Sequence, residues 1–424
     1  MLEITVFFIV AFFMALWPVM IPYLALSYLF ISGLASRAFM AKVKVSLGSV
    51  NVFPLDLLYA MAACFSVVFL VRAAFLGEMT GYGKFARRTI WIVLLYLLFF
   101  AGKLINGFLA NMPIDSLIRM FMTDTQAFYF FLPLAVYKDV AQFKKIMVFT
   151  GCLALLFPLY QPLLYGSVDS ELALHSQDTL RLGYGDGAIL LGIGVVAFIC
   201  WEYKKYLAFL PMSGILMLGH RSAFIALGLS VISISLFKGK KIKTLFMVLL
   251  SAIMVVITLM ALQSFAKINM LDKLLDRVEQ TFVPTKTTIV RARVIVVVLE
   301  ELEKRPLTGL AYSELAGVIK RADTSPRDFN IYHPHNFIYS SLMGAGLLGT
   351  FLMVVIIFRS LLAARKLVKS DAFRLQGVYI FSSVLFFLVF SAMNTTMTTC
   401  GYVLWFFCGV SFWFLNYSEK NEIK

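Results

Sequence analysis

The chain alternates between apolar runs long enough to cross a bilayer and short polar connections. A hydrocarbon core about 30 Å thick needs roughly 20 consecutive helical residues to span it. Apolar windows of that kind predict about twelve helices, over residues 4–34, 52–72, 89–111, 115–137, 146–165, 185–201, 204–218, 221–237, 244–264, 336–359, 373–393 and 397–416. The first window holds Pro18 and Pro22. Proline breaks or kinks a helix interior, so residues 4–34 form either one broken span or two short ones. The window reads as a retained span rather than a cleaved signal, because it carries Glu3, has no Lys or Arg before its apolar run and is too long.

One hydrophilic segment interrupts the series, residues 265–335, with 11 Lys or Arg and 9 Asp or Glu. Within it, Met270, Leu271, Leu274, Leu275, Val278 and Phe282 share one helical face, the pattern of a surface-lying amphipathic helix. Residues 290–306 form a second helix candidate, too short to span and stopped by Pro306. The predicted organisation is a bundle of nine helices (1–264), a large extracytoplasmic loop carrying short helices (265–335), and three further helices with a cytoplasmic tail (336–424). The fold class is an all-α integral membrane protein.

Composition agrees. The 424 residues are 61% hydrophobic and 14% charged, with 41 Phe and 20 Met, more apolar surface than a soluble core absorbs. The net charge of +15 raises the question of nucleic acid, but its distribution answers differently. Basic residues gather in the connections 84–88, 138–145, 203–205, 238–243 and 359–374. With a cytoplasmic N-terminus and twelve spans, all five fall on the cytoplasmic side, as the positive-inside rule requires. Arg37, Lys42 and Lys44 dissent. The partner implied by this pattern is the lipid bilayer, not nucleic acid. The same parity puts 265–335 and all four histidines outside.

The five cysteines, Cys64, Cys152, Cys200, Cys400 and Cys408, lie in apolar stretches without metal-ligand spacing and read as small buried hydrophobes. No H-E-x-x-H, phosphate loop or G-x-S-x-G elbow occurs, so neither a metal nor a cofactor is expected. Glu301 and Glu303 read as a solvated helix face.

Three clusters carry candidate chemistry. In "GHRSAF" (219–224), Arg221 opens an apolar helix. The bland reading is an interfacial anchor that snorkels to water. The sharper one is an anion site, because a guanidinium pairs with phosphate through two parallel hydrogen bonds. Ser222 is placed to cap that helix, and His220 precedes it at the outer end. The second cluster is Arg291 and Arg293, followed by "RPLTGL" (305–310); loop arginines are usually only solvated. In the third, "YHPHNF" (332–337), His333 and His335 lead with Asn336 into an apolar run containing Gly346 and Gly349. A histidine at a helix start is more often a hydrogen-bonding residue than a catalyst.

Taken together and in this order, the clusters resemble the O-antigen ligase and O-antigen polymerase family, mainly over residues 185–360. The resemblance rests on Arg221-Ser222 opening an outward-facing helix, on Arg291 fifteen residues before Pro306, Leu307 and Gly309, and on His335-Asn336, nine residues, then Gly346, Gly349 and Thr350. Two positions depart from the family pattern. Residues 295–298 lack an aromatic, and Gly344 stands where an acidic residue often precedes the glycine pair.

The resemblance implies a type C glycosyltransferase-like architecture. It implies a metal-independent, inverting transferase in the bacterial inner membrane, with its site facing the periplasm. The donor would be an undecaprenyl-diphosphate-linked glycan and the acceptor a hydroxyl of a glycan or of lipid A–core, in lipopolysaccharide or exopolysaccharide biosynthesis. A chain-length regulator protein is the further partner it suggests. In these terms His335 is the candidate base, and Arg221 and Arg291 clamp the leaving diphosphate. Arg293, Asn336, His333, Ser222 and His220 are candidate substrate-binding residues. Ligase and polymerase readings stand nearly even. A lipid-linked oligosaccharide flippase or other secondary transporter is the alternative from another class, although no internal repeat marks one. A non-catalytic assembly scaffold is a third.

Overall fold

A computed structural model describes residues 12–34, 44–47, 50–77, 81–166, 185–218, 220–238, 295–296, 298–314, 336–393 and 396–422. Among these, six helices are long and apolar enough to cross a membrane, and the rest of the described fold is helical apart from one small hairpin. The elements are α1 (Ile21–Leu34), β1 (Val45–Leu47), β2 (Val50–Val52), α2 (Pro54–Phe75), α3 (Lys84–Leu109), α4 (Ile114–Asp124), α5 (Phe131–Val136), α6 (Val140–Gly166), α7 (Gly185–Cys200), α8 (Phe209–Leu218), α9 (Arg221–Lys238), α10 (Phe337–Lys369), α11 (Arg374–Ser391) and α12 (Thr396–Glu422). The expected span 244–264, the amphipathic helix 268–282 and most of the 265–335 loop lie outside the described residues.

Local chemistry sets several boundaries. The chain breaks at Trp17, and a 3-10 turn over Pro18–Met20 leads into α1, the break expected at that proline. α2 starts with Pro54, whose missing N–H costs nothing in a first turn. Asp56 then accepts the Phe53 N–H at 2.9 Å, one half of a capping box. At α6 the box is reciprocal: the Gln142 N–H donates to Asp139 Oδ1 at 2.9 Å, and the Lys138 N–H to Gln142 Oε1 at 2.8 Å. The β1–β2 hairpin, antiparallel with Val45 opposite Val52, has no counterpart among the predicted elements.

The single helix expected over 115–137 is instead three pieces: α4, a 3-10 segment Gln126–Phe130, and α5. Polar residues Thr123, Asp124, Thr125 and Gln126 interrupt the apolar run, and Thr125 Oγ1 donates to its own helix at Phe121 O, 2.5 Å. Such back-bonding competes with the helical ladder. Residues 298–304 are helical ahead of Pro306, as expected.

The chain divides into two compact units. The first, Met1–Met61, Val136–Val283 and Leu367–Phe390, is built around α7, which packs on α1, α6, α8 and α9. α7 is buried along nearly its whole length, and its glycines let neighbours approach closely. A Cβ on Gly192 would lie 2.1 Å from the Phe386 ring, and one on Gly194 2.2 Å from Ala154 Cβ. Hydroxyls join α9 to α11: Ser230 Oγ donates to Ser382 O at 3.1 Å, and the Ser233 and Ser382 hydroxyls lie 2.8 Å apart.

The second unit, Ala62–Ala135, Pro284–Lys366 and Ser391–Lys424, is centred on α12. Its aromatic face packs on the 3-10 segment, with Tyr402 against Tyr129 at 5.4 Å and Phe412 against Phe130 at 5.6 Å. Arg359 of α10 donates to Thr89 Oγ1 at 2.6 Å and to Phe85 O at 2.7 Å, and stacks over the Phe85 ring. Of the five cysteines, Cys200, Cys400 and Cys408 are buried as expected. Cys64 and Cys152 are not; they stand on exposed faces of apolar helices.

Gly409 of α12 lies against the Phe130 backbone, where a Cβ would come within 2.0 Å of the carbonyl oxygen. Gly409→Ala is expected to destabilise this unit by about 1–3 kcal/mol, the usual cost of overpacking. Gly228→Ala on α9, with open space around it, serves as the control. Thermal unfolding in detergent, followed by loss of the monodisperse peak, reads the difference. Equal midpoints for the two variants would contradict the packing described.

Candidate functional site

The candidate residues fall in both units, and each part is described separately. In the first unit, α9 begins at Arg221, whose backbone is described but whose guanidinium is not. The His220 carbonyl accepts the Ala223 N–H at 3.0 Å, closing the first turn. The His220 ring is half-buried and meets Phe390 edge-on at 6.1 Å. It also borders the start of α7, since a Cβ on Gly185 would lie 3.8 Å from His220 Nε2. Ser222 is buried, at 6% exposure, and Ala223 and Ala226 continue the buried face.

In the second unit, Asn336 opens α10. Its Oδ1 accepts the Ile338 N–H at 2.8 Å and the Tyr339 N–H at 3.3 Å, the work of an N-cap. Asn336, proposed from sequence as a substrate contact, thus has its side-chain oxygen engaged in capping. His335, His333, Arg291 and Arg293 lie outside the described residues.

α10 is not the continuous helix expected over 336–359. Gly346 adopts φ 61°, ψ −165°, a conformation essentially confined to glycine, and the helix breaks there. The break is sharp. Thr350 Oγ1 donates to Ser341 Oγ at 2.9 Å, although nine residues of straight helix would hold them roughly 13 Å apart. Gly349 stands where the bend presses Ala345 inward, a Cβ there falling 2.4 Å from Ala345 Cβ. The two glycines have different tasks: Gly346 makes the bend and Gly349 makes room for it.

A break removes backbone hydrogen bonds, and in an apolar setting each must be replaced. In an uninterrupted helix the N–H groups of Leu347 and Leu348 would donate to the carbonyls of Met343 and Gly344. Here the Leu347 N–H donates to Pro306 O at 2.8 Å and the Leu348 N–H to Leu307 O at 3.1 Å. The abandoned carbonyls are also taken up. Met343 O accepts the Leu310 N–H at 2.9 Å, and Gly344 O accepts Lys103 Nζ. Three of the four replacements thus come from the P-L-T-G-L segment, so the two sequence motifs are halves of one joint.

Gly309 allows the joint to close. Its φ is 67°, and a Cβ would lie 2.5 Å from Gly346 N; a Cβ on Gly346 would lie 2.4 Å from Gly309 N. The segment is bracketed by a two-point ion pair, Arg305 Nη1 to Glu314 Oε2 at 2.8 Å and Nη2 to Oε1 at 2.7 Å. Glu301, expected on a solvated face, is instead buried and pairs with Lys304 at 2.8 Å.

Sequence reasoning missed Lys103 and Asp124. The available signal was a charge inside an apolar window: Lys103 stands alone in 89–111, and Asp124 shares 115–137 with Asp115 and Arg119. An ionisable residue at such a depth is costly and needs a reason.

The residues of this joint and of α9 lie inside a region with a known likeness. Residues 206–354 match the O-antigen ligase family. The match covers Arg221-Ser222, the P-L-T-G segment and the His-Asn to G-x-x-G stretch, and it bears out the resemblance read from those motifs. No curated protein matches the chain.

Gly309→Ala and Gly346→Ala are each expected to cost about 1–3 kcal/mol from backbone strain alone. Gly344→Ala should be nearly neutral, because a Cβ there meets nothing closer than Asp124 Oδ1 at 3.9 Å. Protease resistance of the 305–314 segment in detergent-purified protein separates the three. A Gly346→Ala protein as resistant as Gly344→Ala would refute the joint.

Proposed function

We propose that the chain is a metal-independent inverting glycosyltransferase of the O-antigen ligase and polymerase type. It moves a glycan from undecaprenyl diphosphate to an acceptor hydroxyl at the outer face of a bacterial inner membrane. The reading is supported chiefly by the joint between the P-L-T-G-L segment and α10. That joint lies on the helix that Asn336 caps, within the region matched to the O-antigen ligase family. In this proposal about twelve helices span the membrane, and residues 265–335 face the periplasm. The acceptor is either lipid A–core or a growing glycan.

The chemistry assigned to the residues follows from the reaction. The donor carries its own activation in the glycosyl–diphosphate bond, so no nucleotide is consumed. As that bond breaks, negative charge grows on the departing diphosphate. Arg221 and Arg291 are placed in this proposal to receive it by two-point hydrogen bonds. The acceptor hydroxyl is a poor nucleophile and must lose its proton as it attacks the anomeric carbon from the opposite face. Histidine has an unperturbed pKa near 6.5 and is suited to take that proton. His335 is the assigned base. Arg293, His333, His220 and Ser222 are assigned to binding around it, and Asn336 to holding the helix start.

The base is tested by single-turnover transfer with the host's purified undecaprenyl-diphosphate-linked glycan at saturation. His335→Ala should lose at least about 10²-fold in rate while still binding donor, and His333→Ala should keep a substantial fraction. The reverse ranking would move the base, and near-normal rates in both would remove it from this stretch. For the clamp, Arg221→Ala and Arg291→Ala should lose most transfer at normal expression, with Lys rescuing only in part. Full rescue by Lys at both positions would rule out two-point recognition. Cysteine labelling from outside should reach sites near Arg327 and His175 but not near Lys240 or Lys369. Labelling at position 240 would overturn the orientation.

A further inference from the structure

Lys103 interrupts the apolar run of α3, six residues before the helix ends at Leu109. Its ammonium has three N–H donors, each of which needs a partner among apolar neighbours. Two of those donors are accounted for by backbone carbonyls. One goes to Leu310 O at 2.7 Å, at the end of the P-L-T-G-L segment, and one to Gly344 O, just before the break in α10. The rings of Phe99 and Tyr312 flank it, with centroids 5.7 Å and 5.8 Å away. Asp124, on α4, acts on it through space as an opposing charge. Glu314 and Arg305, already paired with each other, are the other charged groups that act on it.

This placement is specific. Of the four hydrogen bonds exchanged when α10 breaks, three are exchanged with backbone. The fourth, at Gly344 O, is made by a side chain from a distant part of the sequence. The same ammonium also grips the segment that makes the other three. A neutral residue at 103 would leave Gly344 O without this partner, and Leu310 O as well. Removing the charge of Asp124 would take away part of the favourable field around the ammonium.

The lever that this bond steadies is short and stiff. From Gly346 back to Asn336 the arm is about nine residues, roughly 13 Å at 1.5 Å per residue. A rotation of about 5° at the joint therefore moves its far end by roughly 1 Å, a misplacement that can cost about 10²-fold in a rate.

We propose that Lys103 is a positioning residue for glycosyl transfer, fixing the arm that ends at Asn336 through its bonds to Leu310 and Gly344. This rests on the transferase reading above. Lys103 touches no reacting atom; it acts through the joint.

The test uses full-length protein in nanodiscs, the wild type, Lys103→Met, Lys103→Arg and Asp124→Asn. Two readouts are taken. One is kcat and KM for the purified undecaprenyl-diphosphate-linked glycan, normalised to folded protein. The other is amide hydrogen exchange over 306–310 and 343–348, which needs no turnover. Lys103→Met is expected to lower kcat at least about 10-fold, shift donor KM less than about 3-fold, and speed exchange at both segments. Asp124→Asn should follow it to a smaller degree, and Lys103→Arg should restore part of kcat and protection. Should Lys103→Met fail to fold, the Arg and Asn variants carry the comparison. A merely structural lysine would reduce the yield of folded protein but leave kcat per folded molecule unchanged, and that result overturns the proposal. Faster exchange with unchanged kcat overturns it too. If wild type transfers nothing while exchange responds to Lys103→Met, the transferase reading fails and the joint stands.

Discussion

Four hydrogen bonds, three between backbones and one from a lysine, hold the break at Gly346 in the second unit. A helix that breaks in water loses little, because solvent replaces each lost partner. At the break in α10, protein groups take the place of the lost partners. Here the carbonyls of Pro306 and Leu307, the Leu310 N–H and the Lys103 ammonium do so. The P-L-T-G-L stretch therefore cannot drift as an ordinary loop would. Gly309 and Gly346 are fixed by the same requirement, since two backbones meet there with no room for a Cβ on either.

Lys103 fits this scheme because an ammonium offers donors in three directions from one atom, and two carbonyls from separate segments converge on it. An arginine would present a planar fork, and a hydroxyl only one donor. The cost is a buried charge, offset by Asp124 and by two aromatic faces. The arrangement is thus suited to holding one geometry and poorly suited to sliding between two.

What the sequence disclosed and what it hid follow from the kind of signal each feature leaves. Apolar runs announce helices, and most expected windows in the described residues are helical with modestly shifted ends. The Arg221-Ser222 and His335-Asn336 pairs stood out because polar groups are rare there. The break in α10 did not stand out. Gly344, Gly346 and Gly349 read equally well as small residues for helix packing, and hydropathy does not register a change of direction. The split of 115–137 was masked in the same way, by Phe and Leu on both sides of a polar step. Lys103 was visible as an isolated charge and Asp124 as one of three in its window, but 21 residues apart in separate windows they carried no sign of acting on each other. Only the chain reversal at Ala110–Pro113 brings them together.

The break at Gly346 divides α10 into residues 347–369, roughly 35 Å of straight helix, and a shorter arm before it. The remaining turns, Phe337–Ala345, are then released to lie at an angle, with Asn336 capping their far end. A straight helix would carry its first residues out along its own axis, away from the segment that docks at Gly309. The bent one turns them back across that segment, where three backbone bonds and one lysine fix the angle. The one left-handed glycine of α10 and Lys103 on α3 thus serve a single bend, whose far arm Asn336 caps.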